Sequence, residues 1–148
     1  ITFRDALILL RGTDPLSTAA LSAFNNLDDF AAGQLRATWH DVGTERRQML
    51  VTKLRDLMSN EFEYDFSAVF YHAITDKDEL VRLAAIEGLY EDENPRLVDP
   101  LIKILHNDSS DFVRSAAATA LGKFLEMGEL EKFQKRRRFD GHAIGSAA

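Results

Sequence analysis

The chain has 148 residues, 45% hydrophobic and 28% charged, a balance that suits one folded domain and excludes a wholly disordered chain. Its formal net charge is −6, from 18 basic and 24 acidic side chains, which favours solubility and runs against general binding to nucleic-acid phosphates. The lack of cysteine removes disulfides, thiolate metal sites and cysteine nucleophiles, and no apolar run reaches the roughly 18 residues of a membrane span.

In chain order, Phe3 to Leu10 reads as an amphipathic helix; its stretch Ala6 to Leu10 is too short for a signal core. A second helix follows Asp14, with Pro15 at its start and Ala20, Ala23, Phe24 and Leu27 as its apolar or small stripe. Phe30 to Trp39 forms a third, capped by Asp28 or Asp29. Thr44 caps the fourth, which carries Arg47, Leu50, Val51 and Leu54. Phe66 to Ile74 is the fifth, capped by Asp65, and Asp78 caps the sixth. Leu97 to Leu105 is the seventh, entered at Pro95 and expected to kink or split at Pro100. Ser110 caps the eighth, with Gly128 as the residue just past its end. Residues 132–148 read as a polar, partly disordered extension, with Gly145-Ser146-Ala147-Ala148 as a loose tail.

These helices repeat. The stretch Asp76 to Leu89 aligns without a gap on Asp108 to Leu121, at an offset of 32 residues. Val81, Arg82, Ala84, Ala85 and Leu89 fall on Val113, Arg114, Ala116, Ala117 and Leu121. The same frame upstream sets Asp41 over Arg47 and Leu54, and Asp14 over Ala20 and Leu27. Asp14, Asp41, Asp76 and Asp108 thus form one column, spaced by 27, 35 and 32 residues. Each copy is helix A, a turn holding the Asp, then helix B. The units span about 1–27, 28–60, 61–92 and 93–131. The turn carboxylate can accept from backbone amides. Arg47, Arg82 and Arg114 lie one and a half turns along helix B, within reach of a turn Asp of their own or a neighbouring unit. Both columns therefore read as structural, a ladder of charge-assisted hydrogen bonds. Gly88 and Gly122 inside B helices read as close-packing positions, and the phenylalanines as mostly A-helix core.

The two Asp…Val-Arg…Ala-Ala…Leu segments resemble HEAT repeats, especially the short phycobilisome-lyase variety. The resemblance is clear over Phe66 to Met127 and extends in weaker form back to Phe3. Ala20 departs from it by replacing the motif Arg in the first copy. It implies an all-α, right-handed α-solenoid of about four antiparallel helix pairs, A helices outside and B helices lining the inner curve. It also implies a protein-interaction or scaffold role, bacterial and cytoplasmic, with another protein as partner. Two alternatives come with it: a bilin-lyase-type enzyme or chaperone subunit, and a HEAT-like DNA-binding protein of the DNA glycosylase kind. The latter needs a basic concave face.

Helical phase sets the polar face of helix B toward that groove, which nominates Gln48, Thr52, Lys53, Asp56, Glu87, Glu91, Thr119 and Lys123 as contact residues. Trp39, Tyr71 and Tyr90 stand near helix ends, and packing is the preferred reading for each. His40, His72, His106 and His142 lack zinc-ligand spacing, and the acids around Asn60 to Asp65 and Glu91 to Asn94 lack a calcium-loop pattern, so no metal is expected. No catalytic or cofactor fingerprint occurs, so no catalytic residue and no cofactor are expected. Lys132, Lys135, Arg136, Arg137 and Arg138 form a basic run that leaves 13 basic against 24 acidic side chains elsewhere. It reads as solvated, or as folding back on the acidic body. An exposed terminal repeat would also permit a homodimer. No membrane contact is expected.

Overall fold

The computed structural model describes residues 1–60 and 63–141. Within these residues the chain forms α1 (Phe3–Leu10), α2 (Thr18–Ser22), α3 (Asp29–Trp39), α4 (Thr44–Asn60), α5 (Ser67–Ala73), α6 (Glu79–Gly88), α7 (Val98–Asn107) and α8 (Asp111–Gly141). A 3-10 turn, Pro95–Leu97, leads into α7, and no strand occurs among the described residues. Odd-numbered helices are the A members of each pair and even-numbered helices the B members. The B helices stack as α2 on α4, α4 on α6 and α6 on α8, while α1 meets α3 and α3 meets α5. Along α4, α6 and α8 the B row packs more closely than the A row, the arrangement expected of B helices that line an inner curve. The architecture is an all-α solenoid.

Side-chain caps set most helix starts. Thr2 and Asp5 form a reciprocal capping box on α1, with the Asp5 amide 3.1 Å from the Thr2 hydroxyl. Asp28 accepts from the Ala31 amide at 2.8 Å, Asp78 from Val81 at 3.0 Å and Ser110 from Val113 at 3.2 Å, as their positions before apolar stripes suggested. Asp65 is not the cap of α5 but stands one residue before it: the N-cap is Phe66, without a side-chain cap bond, and Asp65 accepts from the Ser67 amide at 2.9 Å.

Several starts and stops differ from expectation. Thr44 is the first residue of α4, whose opening carbonyl is that of Gly43, receiving the Arg47 amide at 3.0 Å. Pro15 stands ahead of α2, and Ser17 caps that helix instead. Pro100 neither kinks nor splits α7, because it is the third helical residue, in the first turn where no partner for its missing N–H is needed. Gly128 lies within α8, which runs on to Gly141. The side chains of the basic run Lys132 to Arg138 lie outside the described residues, as does the tail Gly145 to Ala148.

One core runs the length of the stack, with Leu10, Phe24, Leu50, Phe66, Phe70 and Leu101 fully buried. Phe30 is an exception among the A-helix aromatics, since it is exposed at the start of α3. Gly88 is tightly packed: a methyl there would meet the Phe70 ring at 2.5 Å. Gly122 has open space instead, so packing does not require glycine at that position.

Candidate functional site

The Asp and Arg columns are tied across units. Arg82 on α6 donates from Nε and Nη2 to Asp108 of the next turn, at 2.8 and 3.0 Å, and from Nη1 to the Asp76 and Lys77 carbonyls of its own turn. Arg47 on α4 repeats the arrangement one unit earlier. Its Nη1 donates to the Val42 carbonyl at 2.6 Å and its Nε lies 3.1 Å from Asp76 Oδ1. That ion pair is almost fully buried, and the Arg47 Nε is not aligned for a hydrogen bond. The Trp39 indole N–H donates to the same Asp76 oxygen at 2.7 Å, and the Asp78 amide to the other at 2.9 Å. Arg114 donates to the Asp108 carbonyl at 2.5 Å and pairs with Asp111 on its own helix.

The first unit has no such arginine, because Ala20 occupies the slot and is fully buried. Asp41, which such an arginine would meet, is exposed and its carboxylate lies 3.7 Å from His40; Asp14 is exposed as well. Arg46 supplies the tie instead. Its guanidinium donates to the carbonyls of Leu9, Leu10 and Asp14 at 2.7, 3.1 and 2.8 Å, closing the C-terminal end of α1.

A trough opens between the C-terminal ends of α4 and α6. Its main cavity, about 620 Å³, is lined by Arg55, Met58, Ser59, Tyr64, Glu87, Gly88, Tyr90 and Glu91. A second cavity of about 400 Å³ shares Met58, Tyr64, Gly88 and Glu91 and continues past Asp65, Asp92 and Glu93. Tyr64 stacks on Phe66 at 5.0 Å, and its hydroxyl is 3.1 Å from that of Ser22, so this wall is fixed to the core. Arg55 bonds Glu87 at 2.7 Å and Asp56 at 3.2 Å, and those two carboxylates outweigh its burial and raise its pKa. Burial, and then Glu87, push the Tyr90 hydroxyl up. The trough thus joins a ring-and-thioether wall to a rim of carboxylates. That combination suits a side chain with an apolar stem and a positive head.

A smaller cavity of about 230 Å³ lies over the buried ion pair, lined by Trp39, His40, Arg47, His72, Thr75, Asp76 and Lys77. His72 packs edge-on against Trp39 at 5.2 Å, and burial, then the Arg36 charge, depress its pKa against the opposing pull of Asp76. Among the described residues no three His, Asp or Glu are grouped so as to hold a metal ion.

Residues 67–136 match the family model of HEAT repeats. This stretch belongs to the HEAT repeats. No curated protein and no solved structure matches the chain. HEAT repeats commonly serve as scaffolds for protein interactions, which puts attention on the exposed face of the B row.

Burial divides the eight nominated contact residues into two groups. Lys53, Asp56, Glu91 and Thr119 are exposed. The other four are half-buried and engaged in packing. The Gln48 amide donates to Asp78 at 3.0 Å, tying α4 to the cap of α6. Thr52 donates to the Gln48 and Met49 carbonyls of its own helix. Glu87 receives Arg55, and Lys123 donates to the Leu89 and Tyr90 carbonyls at 2.7 and 2.9 Å, closing the end of α6. Burial depresses the Lys123 pKa despite the attraction of Asp92, Glu91 and Glu93. Glu87 and Glu91 reach the trough; Arg55, Met58, Tyr64 and Tyr90 join them there without having been nominated. Tyr64 and Tyr90 sit where B helices end and loops begin, beyond what helical phase can place. Tyr71 lies under Arg96, whose guanidinium stands 4.3 Å from the ring centroid. No helix among the described residues is long and apolar enough to cross a membrane.

Proposed function

We propose that this HEAT-repeat chain is a protein-interaction scaffold that holds a partner protein along its B-helix face, with the trough between α4 and α6 as the main contact. The observation behind this reading is the trough itself. It has the volume of a recognition pocket, its wall is anchored through Tyr64 to the core, and its rim carboxylates Glu87 and Glu91 project from the end of α6 and the turn that follows it. The exposed Lys53, Asp56 and Thr119 extend the surface to either side. The acidic rim repels phosphate, which weighs against duplex DNA as the ligand. The 32-residue spacing of the last two units is shorter than the ~40–47 residues of a standard HEAT unit, and we take the resemblance to the short phycobilisome-lyase variety, with a bacterial, cytoplasmic setting, as part of this proposal.

The test is capture of partners from the native host by the full chain, compared with a Tyr90→Ala/Glu91→Ala variant of unchanged helical content. A partner retained by the parent chain and lost by the variant supports the reading. A partner retained equally by both moves the interface elsewhere, and failure to enrich any protein rejects the scaffold role.

A further inference from the structure

We propose that the trough between α4 and α6 receives the basic run of a second copy of this chain, the stretch from Lys132 to Phe139. This deepens the scaffold reading and rests on it, because it assigns a ligand class to the same groove.

The argument starts from charge. The trough brings Asp65, Glu87, Glu91, Asp92 and Glu93 together around walls made by Tyr64, Tyr90 and Met58. Arg55, the cation among its lining residues, is already engaged by Glu87 and Asp56. Lys123 nearby is spent on backbone carbonyls. Glu91 and Glu93 are exposed, and the groove is left with an excess of negative charge. The chain itself carries the complement: five basic residues within 132–138, with Phe133 and Phe139 beside them.

The geometry of α8 decides between one copy and two. That helix is continuous from Asp111 to Gly141, so the basic run is held at its far end and does not turn back toward its own trough. By helical spacing, positions 132, 135, 136 and 139 share one face, which sets Lys132, Lys135, Arg136 and Phe139 in a row. A helix presenting that row matches an acidic groove with aromatic walls, in the manner of helix-in-groove recognition. Lysine and arginine stems cover the Met58 and Tyr surfaces while their heads meet the rim. Each copy offers both a groove and a helix end, so two copies can exchange the contact reciprocally and close an isologous dimer.

The experiment is sedimentation of the full chain over a concentration series at low and high salt. Self-association is expected at low salt and should weaken as salt screens the rim charges. A Glu91→Lys/Glu93→Lys variant reverses the groove, and a Lys132→Glu/Lys135→Glu/Arg136→Glu variant reverses the helix end. Each alone should weaken association by about tenfold or more. An equimolar mixture of the two should regain it, because reversed groove and reversed helix again attract. Circular dichroism establishes that both variants keep the parent's helical content. A parent chain that stays monomeric at low salt overturns the proposal, as does association that both reversals leave unchanged. A monomeric chain that binds the separate 132–139 peptide assigns the groove to a basic segment of another protein and removes the second copy. A monomeric chain whose capture of a host partner still depends on Tyr90 and Glu91 overturns this inference alone and leaves the scaffold reading standing.

Discussion

Arg82 and Asp108 close a two-point pair between successive units, with Nε and Nη2 at 2.8 and 3.0 Å from the two carboxylate oxygens. Both side chains are largely buried, at 13% and 7% exposure. The same arginine holds the carbonyls of its own turn through Nη1, so one guanidinium fixes two neighbouring turns in register. Arg82→Ala leaves Asp108 buried without its cation and should cost about 3 kcal/mol. Arg82→Lys should recover only part of that, because an ammonium cannot reproduce the planar fork. Urea unfolding followed by circular dichroism measures both. Equal stability of the lysine variant and the parent would show that charge alone suffices.

Trp39 serves the buried pair in the unit before. Its indole N–H donates to Asp76, which also faces Arg47 Nε at 3.1 Å. Trp39→Phe keeps most of the apolar contact and removes one hydrogen bond to a buried carboxylate, an expected loss of about 1.5–3 kcal/mol. Asp76→Asn should cost more, because Arg47 is then a buried charge without its counter-ion. In the double variant the two losses should fall short of their sum, since both act on one oxygen. Additive losses in a double-mutant cycle would mean that Trp39 acts by packing alone.

Gly88 faces the ring of Phe70, which an added methyl would approach to 2.5 Å. Gly88→Ala gains about 1 kcal/mol in helix propensity. The forced displacement of the ring should cost about 1–3 kcal/mol, so the net effect is a loss. Phe70→Leu makes room, and Gly88→Ala placed on that background should be neutral or stabilising. Thermal unfolding of the four proteins gives the answer, and a Gly88→Ala that stabilises the parent would contradict the contact.

The repeat made much of this architecture legible. An Asp column and an Arg column at fixed helical distance specify a turn and a helix position, and the pairs Arg47 with Asp76 and Arg82 with Asp108 follow once units stack. Arg46 was not legible in the same way. It bonds backbone carbonyls of Leu9, Leu10 and Asp14, and carbonyls carry no side-chain signature. The available signal was indirect, a second arginine beside Arg47 facing a unit whose own arginine slot holds Ala20. Helical phase also treated Gln48 and Lys123 as free polar positions. Phase gives the direction of a side chain from its helix axis but not whether a neighbouring cap or helix end lies within reach, and here both do. The trough was half legible for a similar reason: Glu87 keeps helical register on α6, while Glu91 follows the end of that helix and Tyr64 is delivered by a loop.

Acid should loosen the stack in two stages. His72 has a depressed pKa, through burial first and then the Arg36 charge. The unfolded chain therefore takes up that proton near about pH 6.5, where the native state does not, and stability falls as pH drops through that range. Asp78 and Asp108 also titrate below their ordinary range. Burial favours the protonated form of each, but it is outweighed by Gln48 and the Val81 and Leu80 amides at Asp78, and by Arg82 and the Ser110 amide at Asp108. Their contribution is complete above about pH 4 and is lost as pH falls from there toward the depressed native values. The urea midpoint should thus decline gently below about pH 6.5 and more steeply below about pH 4. His72→Gln should remove the first decline and leave the second, and Asp108→Asn should reduce the second and leave the first. A first decline unchanged in His72→Gln would show that burial and the Arg36 charge do not keep that histidine neutral and that another group takes up the proton.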